Sequence, residues 1–219
     1  MGLDYTKSAL RGVAIVVGAG PSLERVLPRI ADALPKATLI VAADGATRAL
    51  VEIGVVPTAI ASDLDGDIDA LIKACRAGST LFLHAHGDNI ESVAELYPEL
   101  SKACRNIVGT TQVPNPPQPL LNLGGFTDGD RASIIAYLLG ARKILLLGMD
   151  LSSSYTGRYS KGVEMRALRA KLVKLWVARM VLESLGRMVE LIEVGTRCLT
   201  FARCASVEEA RAMVLNWIG

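Results

Sequence analysis

Thr58-Ala59-Ile60-Ala61-Ser62-Asp63-Leu64-Asp65-Gly66-Asp67 is a short apolar run that ends in three closely spaced carboxylates, just before a helical pattern. An apolar run bounded by turn residues reads as a buried strand, so the acidic cluster falls at a strand-to-helix junction. Carboxylates this close repel one another unless a divalent cation or a cationic partner lies among them. Magnesium takes oxygen ligands, usually one or two carboxylates, with water and phosphate oxygens completing the shell. If the segment stays extended, Asp63 and Asp65 point the same way and converge on one ion while Leu64 faces the core. The plainer alternative is that one Asp caps the following helix and the others are solvated turn residues.

The same strand, turn and helix rhythm extends in both directions from this stretch. Val13 to Val17 is a β-branched run that stops at Gly18-Ala19-Gly20-Pro21-Ser22, with a helix expected from Leu23 to about Leu34. A glycine turn feeding a helix start is where the backbone N–H groups of Gly20 and Ser22 can point at a phosphate. Thr38 to Ala43 reads as the next strand, ending at Asp44-Gly45, with a helix through about Ile53. Beyond Asp67, Ser79 to His84 is a strand that ends in His84-Ala85-His86-Gly87-Asp88-Asn89, and Ile90 to Cys104 has helical spacing. Asn106 to Val108 starts another strand, ending near Gly109-Thr110-Thr111. Pro114, Pro116, Pro117 and Pro119 then make a stiff loop that is neither helix nor central strand. Leu120 to Leu123 reads as a short strand feeding Gly124-Gly125-Phe126-Thr127-Asp128-Gly129-Asp130, with Arg131 to Leu139 helical. Lys143 to Leu147 is a further strand, ending at Gly148-Met149-Asp150. Alternation of this kind predicts an open, mostly parallel, Rossmann-like α/β sheet with helices on both faces and right-handed crossovers.

After Asp150 the rhythm changes. Residues 151–162 form a polar loop whose only cations are Arg158 and Lys161, and Val163 to Leu185 is the longest helical pattern, read as a covering helix with a solvated basic face. Met188 to Glu193 and Cys198 to Phe201 read as two short strands, and Ser206 to Glu209 as a capping box opening the last helix. The expectation is one α/β domain over 1–219: a core sheet to 150, the polar loop, then the covering helix and a small C-terminal strand-helix extension.

The chain has 219 residues, 51% hydrophobic but only 5% aromatic, which suits a buried parallel sheet. A net charge of +2 provides no global field toward nucleic acid or anionic membrane. No secretory signal and no bilayer-length apolar run is evident, so a cytoplasmic protein is expected. Cys75, Cys104, Cys198 and Cys204 lack C-x-x-C spacing and read as buried free thiols, with a Cys198–Cys204 disulfide as the alternative. The apolar surplus of the 163–185 helix is consistent with a homodimer.

In open α/β sheets ligands bind outside the carboxyl ends of the strands. Those ends carry Asp44, Asp63, Asp65, Asp88, Asp128, Asp130 and Asp150, an acidic rim suited to metal and polyphosphate, with Arg158 and Lys161 as the natural suppliers of positive charge. A dinucleotide site is the rival reading, since Gly18-Ala19-Gly20 precedes a helix and Asp44 ends the second strand. Leu23, however, stands where a third glycine is wanted, and a nicotinamide enzyme has no use for so many carboxylates.

Asp44-Gly45 with Leu50, then Gly54 and Pro57, then Ser62-Asp63-Leu64-Asp65, resembles the thiamin pyrophosphokinase pattern. GAGPSLE, AADGATRAL, SDLDGD, HAHGDN, GGFTDGDRA and LLLGMDLS, running from Gly18 to Ser152, more closely resemble the archaeal MptE-like 6-hydroxymethyl-7,8-dihydropterin pyrophosphokinases. The resemblance implies a fold like the thiamin pyrophosphokinase catalytic domain and Mg2+-dependent transfer of diphosphate from ATP to the hydroxymethyl oxygen of a dihydropterin, with release of AMP. It implies Asp63, Asp65 and Asp88 as metal ligands. For ATP and its phosphates it implies Gly18, Gly20, Ser22, Asp44, His86, Asn89 and Arg158. Lys161 would neutralise charge on the transferred group, and Asp128 would bind metal or take the hydroxyl proton, unless it is a helix cap. Thr110, Asp130 and Asp150 would contact the pterin. The acidic motif lacks the aromatic and the serine of the thiamin enzymes, which favours the pterin branch. Another alcohol acceptor, such as thiamin, and a nucleotide-binding module without turnover remain the alternatives.

Overall fold

The computed structural model describes residues 12–34, 39–151, 157–159, 168–195 and 198–218. Eight strands form one parallel sheet: β1 (Val13–Val17), β2 (Leu39–Ala43), β3 (Ala59–Ser62), β4 (Thr80–Ala85), β5 (Asn106–Thr111), β6 (Lys143–Leu147), β7 (Glu190–Val194) and β8 (Arg203–Ala205). Their order is β5-β4-β3-β2-β1-β6-β7-β8. The central strands are apolar on both faces because helices cover both, and Ala14, Ile15, Val16 and Val17 have no exposed surface. On one face α1 (Leu23–Ile30), α2 (Asp44–Glu52) and α7 (Val207–Ile218) pack over Ile15, Val17, Ile40 and Leu145. On the other, α5 (Asp128–Leu138) and α6 (Leu168–Leu185) cover Val16, Val41, Ala61 and Phe82. A third cluster packs α3 (Ile68–Arg76) and α4 (Ile90–Ala103) on Ile60, Leu81 and Leu83.

The predicted α/β order is present, with local differences that have physical causes. The strand expected at Leu120–Leu123 shrinks to one parallel bridge from Leu121 to Thr110, since Pro117 and Pro119 carry no donor to extend a ladder. The last strand forms at Arg203–Ala205, after the predicted Cys198–Phe201. Those earlier residues instead make a turn, with the Leu199 N–H given to the Glu193 carboxylate at 2.6 Å and the Ala202 N–H to Leu199 O at 3.0 Å. The expected capping box is formed at Ser206 and Glu209. Helix α6 is described from Leu168 onward; the predicted start at Val163 lies outside the described residues, as do Ser152 and Lys161. Its outer face exposes Val173 and Trp176, and among the described residues no helix is long and apolar enough to cross a membrane.

The cysteines differ from the free thiols expected. Cys75 on α3 is bonded to Cys104 at the end of α4, and Cys198 to Cys204 on β8. Helical packing brings the first pair together across 29 residues of sequence, a proximity that spacing alone does not reveal.

Candidate active site

The chain direction across the sheet reverses beside β1: β2 lies on one side of it and β6, reached only after β5, on the other. The helices that follow β1 and β6, α1 and α6, pack on opposite faces of the sheet, and the crevice at this reversal is the position where open α/β sheets take ligands. A cleft of about 530 Å3 occupies it, lined by Gly18, Gly20, Asp44, Arg48, Asp65, Asp128, Asp150, Arg158, Tyr159 and Lys171 among others.

At one wall, Asp44, Asp63 and Asp65 each offer a carboxylate oxygen within 4.8 Å of the others. Asp44 opens α2, and its Oδ1 accepts a hydrogen bond from Ser62 Oγ at 2.8 Å. Ser62 Oγ in turn accepts the Leu64 N–H at 2.9 Å, which bends the chain sharply after β3. Leu64 takes φ 68° while burying its side chain, so the loop holds a left-handed leucine in order to turn Asp63 and Asp65 toward Asp44. The extended geometry expected from the sequence is replaced by this turn, yet both carboxylates arrive together. Asp67, the last acid of the stretch, caps α3 by accepting the Ala70 N–H at 2.9 Å.

Asp44 Oδ2 and Asp63 Oδ1 are buried with no hydrogen-bond partner among the described residues. Burial first, then the charges of Asp65 and Asp63, push the Asp44 carboxyl up to about 7 against the opposing Ser62 hydrogen bond. Asp128 is likewise held well above the carboxylate range, by burial and by Asp63 and Asp44, with Arg131 opposing. Buried carboxylate oxygens that lack donors and repel one another fit a hard divalent cation. The third carboxylate of this trio is Asp44; Asp88, expected in that role, is exposed on the turn after β4 and outside the trio.

The glycine turn after β1 does something other than expected. The N–H groups of Gly18, Gly20 and Ser22 are already donated, to Leu147 O (2.8 Å), Gly148 O (2.7 Å) and Asp150 Oδ2 (2.7 Å). They bind the β1 and β6 turns to each other, so these three N–H groups are not free to cradle a phosphate. Glycine is required at Gly20 because a Cβ would lie 2.6 Å from the backbone oxygen of Gly148. Asp150, expected to contact substrate, is engaged in this brace, although it also lines the cleft.

Positive charge comes from elsewhere. Arg48 lines the cleft and pairs with Glu52 at 2.8 Å, and Arg158 lies 3.6 Å from the same Glu52, which also accepts the Tyr159 hydroxyl at 2.9 Å. Lys171 on α6 lines the cleft and its burial lowers its pKa. Arg48 and Lys171 are not among the residues expected from sequence, since neither follows a strand end.

The remaining expected residues divide. His86 Nε2 is 3.2 Å from Asp63 Oδ2. Asn89 donates to Asp63 O (2.8 Å) and His84 O (2.7 Å) and accepts the His86 N–H (3.1 Å), so it clamps the ends of β3 and β4 together. Asp130 is fully buried, with its carboxylate occupied by the Phe126 N–H, the Thr127 N–H and the Thr127 hydroxyl at 2.8, 2.6 and 2.6 Å. It caps α5 and has nothing left for a pterin. Thr110 is buried, giving its hydroxyl hydrogen to Leu83 O and facing His84 Nδ1 at 3.1 Å. Asp128 opens α5, lines the cleft and pairs with Arg131 at 3.1 Å.

The chain is similar to several known proteins. The chain is 43% identical over 180 residues to the 6-hydroxymethyl-7,8-dihydropterin pyrophosphokinase of Methanothermobacter thermautotrophicus, covering 82% of this chain and 73% of that protein. It is 40% identical over 167 residues to the enzyme of the same name from Methanocaldococcus jannaschii, covering 73% and 67%. Among solved structures, the MAf glycosyltransferase of Magnetospirillum magneticum AMB-1 shares the fold with a TM-score of 0.58 at 16% identity; the match covers 95% of this chain and 37% of that one. A thiamin pyrophosphokinase from Geobacillus thermodenitrificans aligns with a TM-score of 0.37 at 17% identity, over 82% of this chain and 58% of that one. Residues 3–156 match the family described as 6-hydroxymethylpterin diphosphokinase MptE-like, and the chain belongs to that family.

Proposed function

We propose that the protein transfers the diphosphoryl group of ATP to the hydroxymethyl oxygen of 6-hydroxymethyl-7,8-dihydropterin and releases AMP, in the cytoplasm, on a route to folate- or tetrahydromethanopterin-type cofactors. The observation that carries this reading is the Asp44–Asp63–Asp65 trio, with orphaned buried oxygens, beside the switch-point cleft of a pyrophosphokinase-family chain.

Asp44, Asp63 and Asp65 would hold Mg2+, which when bound draws charge from the phosphate oxygens and orients the polyphosphate. Lys171, Arg48 and Arg158 line the same cleft and offset the remaining charge of ATP. The alcohol oxygen forms a bond to the β-phosphorus as the bond from that phosphorus to the α,β-bridging oxygen breaks, and AMP leaves with the electron pair. The hydroxyl proton passes to Asp128, which lines the cleft beside the acidic trio. Little else is asked of the chain beyond fixing the reactants in line.

Incubation with ATP, Mg2+ and the dihydropterin alcohol, followed by chromatography, should yield AMP and pterin diphosphate in equal amounts. Asp63→Asn and Asp65→Asn should each lower kcat at least roughly 100-fold with the fold retained. ADP as product, AMP with thiamin only, or full activity of both variants would overturn the assignment.

A further inference from the structure

Among the described residues, three buried side-chain atoms outside the acidic trio have no hydrogen-bond partner: Thr47 Oγ1 on α2, His84 Nε2 and Arg131 Nε. His84 and Arg131 are 1% and 3% exposed. Buried donors and acceptors are nearly always paired in folded proteins, and an exception marks a place where a partner is missing.

The fold brings the two residues to the same side of the sheet. Along β4, His84 follows Phe82 by two residues and so shares its face, and Phe82 packs with Ala132, Ile135 and Ala136 of α5. Arg131 lies in the first turn of that helix. Thr110 Oγ1 lies 3.3 Å from Leu83 O and 3.1 Å from His84 Nδ1; with its hydroxyl hydrogen given to Leu83 O, His84 donates Nδ1–H to Thr110 Oγ1 and Nε2 is left as the acceptor, the tautomer on which the assignment below is built. The ring is neutral, its pKa lowered to about 4 by burial first, then by Arg131 and His86. Arg131 gives one terminal nitrogen to Asp128, and its Nε–H faces no acceptor. One site therefore lacks a donor and the other an acceptor.

We propose that His84 Nε2 and Arg131 Nε–H are the specificity contacts for the ring of the acceptor alcohol, reading the adjacent N–H and C=O groups of a neutral aminopyrimidinone edge. This rests on the pterin pyrophosphokinase reading and adds to it the residues that select the ring. Arg131 also pairs with Asp128, so a ring held by its far edge lies next to the group that receives the hydroxyl proton. Phe126 is 39% exposed in the loop that Asp130 pins at the start of α5, and it offers an aromatic face for the ring. The Gly124-Gly125 turn lies on the stem of Arg131, where a Cβ on Gly125 would be 3.1 Å from Arg131 Cα. A guanidinium at this position disfavours a cationic acceptor such as a thiazolium.

The test is steady-state kinetics with ATP and acceptor varied separately, on wild type, His84→Leu, His84→Gln and Arg131→Lys. Binding of 6-hydroxymethylpterin and its N3-methyl derivative is measured in parallel by fluorescence titration without ATP. His84→Leu should raise the acceptor KM roughly 10- to 100-fold and leave the ATP KM within about twofold, while His84→Gln, which keeps an acceptor oxygen, should recover most of the loss. N3-methylation should weaken binding to wild type and make no difference to His84→Leu. If Leu unfolds the protein, the Gln and Lys variants with the N3-methyl comparison decide. An unchanged acceptor KM, an ATP KM that rises in step, or equal binding of both pterins by wild type would mean that the two atoms bind only water, and would overturn the proposal. If wild type makes no AMP yet binds the pterin through His84, the subsite stands and the reaction assignment falls; if it binds neither pterin, the subsite falls as well.

Discussion

Asp44 is held in a conflict that only a ligand relieves. Its carboxyl is raised from 3.8 to about 7, so between pH of about 4 and about 7 the folded chain keeps a proton that the unfolded chain has lost. Metal-free stability should therefore fall as pH rises through that window and level off above it. Asp44→Asn removes the conflict while its side-chain oxygen still accepts from Ser62; it should flatten the slope and stabilise the metal-free protein at pH 8 by about 1–2 kcal/mol. Denaturant unfolding in EDTA at several pH values checks this, and a wild-type stability that rises with pH across the window would contradict it. Mg2+ should stabilise wild type and have no such effect on the variant. Asp63 and Asp65 were legible as a pair because they are neighbours in sequence. Asp44 was legible as a strand-end residue and, by the resemblance, as a contact of ATP, but not as the partner of Asp63 and Asp65, since its place beside them depends on the β2–β3 register, which puts Ala43 opposite Ala61.

The start of α5 shows how one motif can be read for chemistry when it serves local structure. GGFTDGDRA presents two carboxylates at a helix N-terminus, and they serve different ends, Asp130 closing the cap while Asp128 faces the cleft. Asp130→Ala should cost about 2 kcal/mol, because three donors lose their acceptor. A substrate-pairing role would instead give a variant of normal stability with a raised acceptor KM, so chemical denaturation beside kinetics separates the two. The glycine turn after β1 carries the same lesson. A strand, a glycine turn and a helix start suggest a phosphate nest, but whether the N–H groups are free depends on what the neighbouring turn presents. Here Gly148 O and Asp150 take them. Arg131, Arg48 and Lys171 gave no sequence signal, because a cation on a helix reads as a solvated face until the helix is placed.

At the scale of the whole molecule, the alternation of apolar runs with helical segments was enough to predict a parallel α/β sheet, since each crossover must return to the same edge. The strand order was not legible, nor was the Cys75–Cys104 bond, because both depend on how distant segments pack, whereas the Cys198–Cys204 bond, between near neighbours, was legible as an alternative to free thiols. The Cys75–Cys104 bond closes a loop with a sequence separation of 29 and Cys198–Cys204 one of 6. On loop entropy alone they stabilise by about 3.5 and about 2 kcal/mol respectively. Replacing Cys75 and Cys104 together by Ala should lower the melting temperature more than replacing Cys198 and Cys204, and equal effects would show that loop size is not the governing factor.

The strand order also bears on how the chain acquires its shape. From β1 to β5 each new strand can add beside the one made just before it, so half of the sheet can assemble as the chain leaves the ribosome. β6 must then travel back to the bare edge of β1, where Val13 meets Lys143, a closure across most of the sequence. Until it arrives, the hydrogen-bonding edge of β1 is open to pairing with another nascent chain. The crevice between these two strands is thus completed late in folding, and a polypeptide interrupted before β6 carries the acidic trio without the far wall of the cleft.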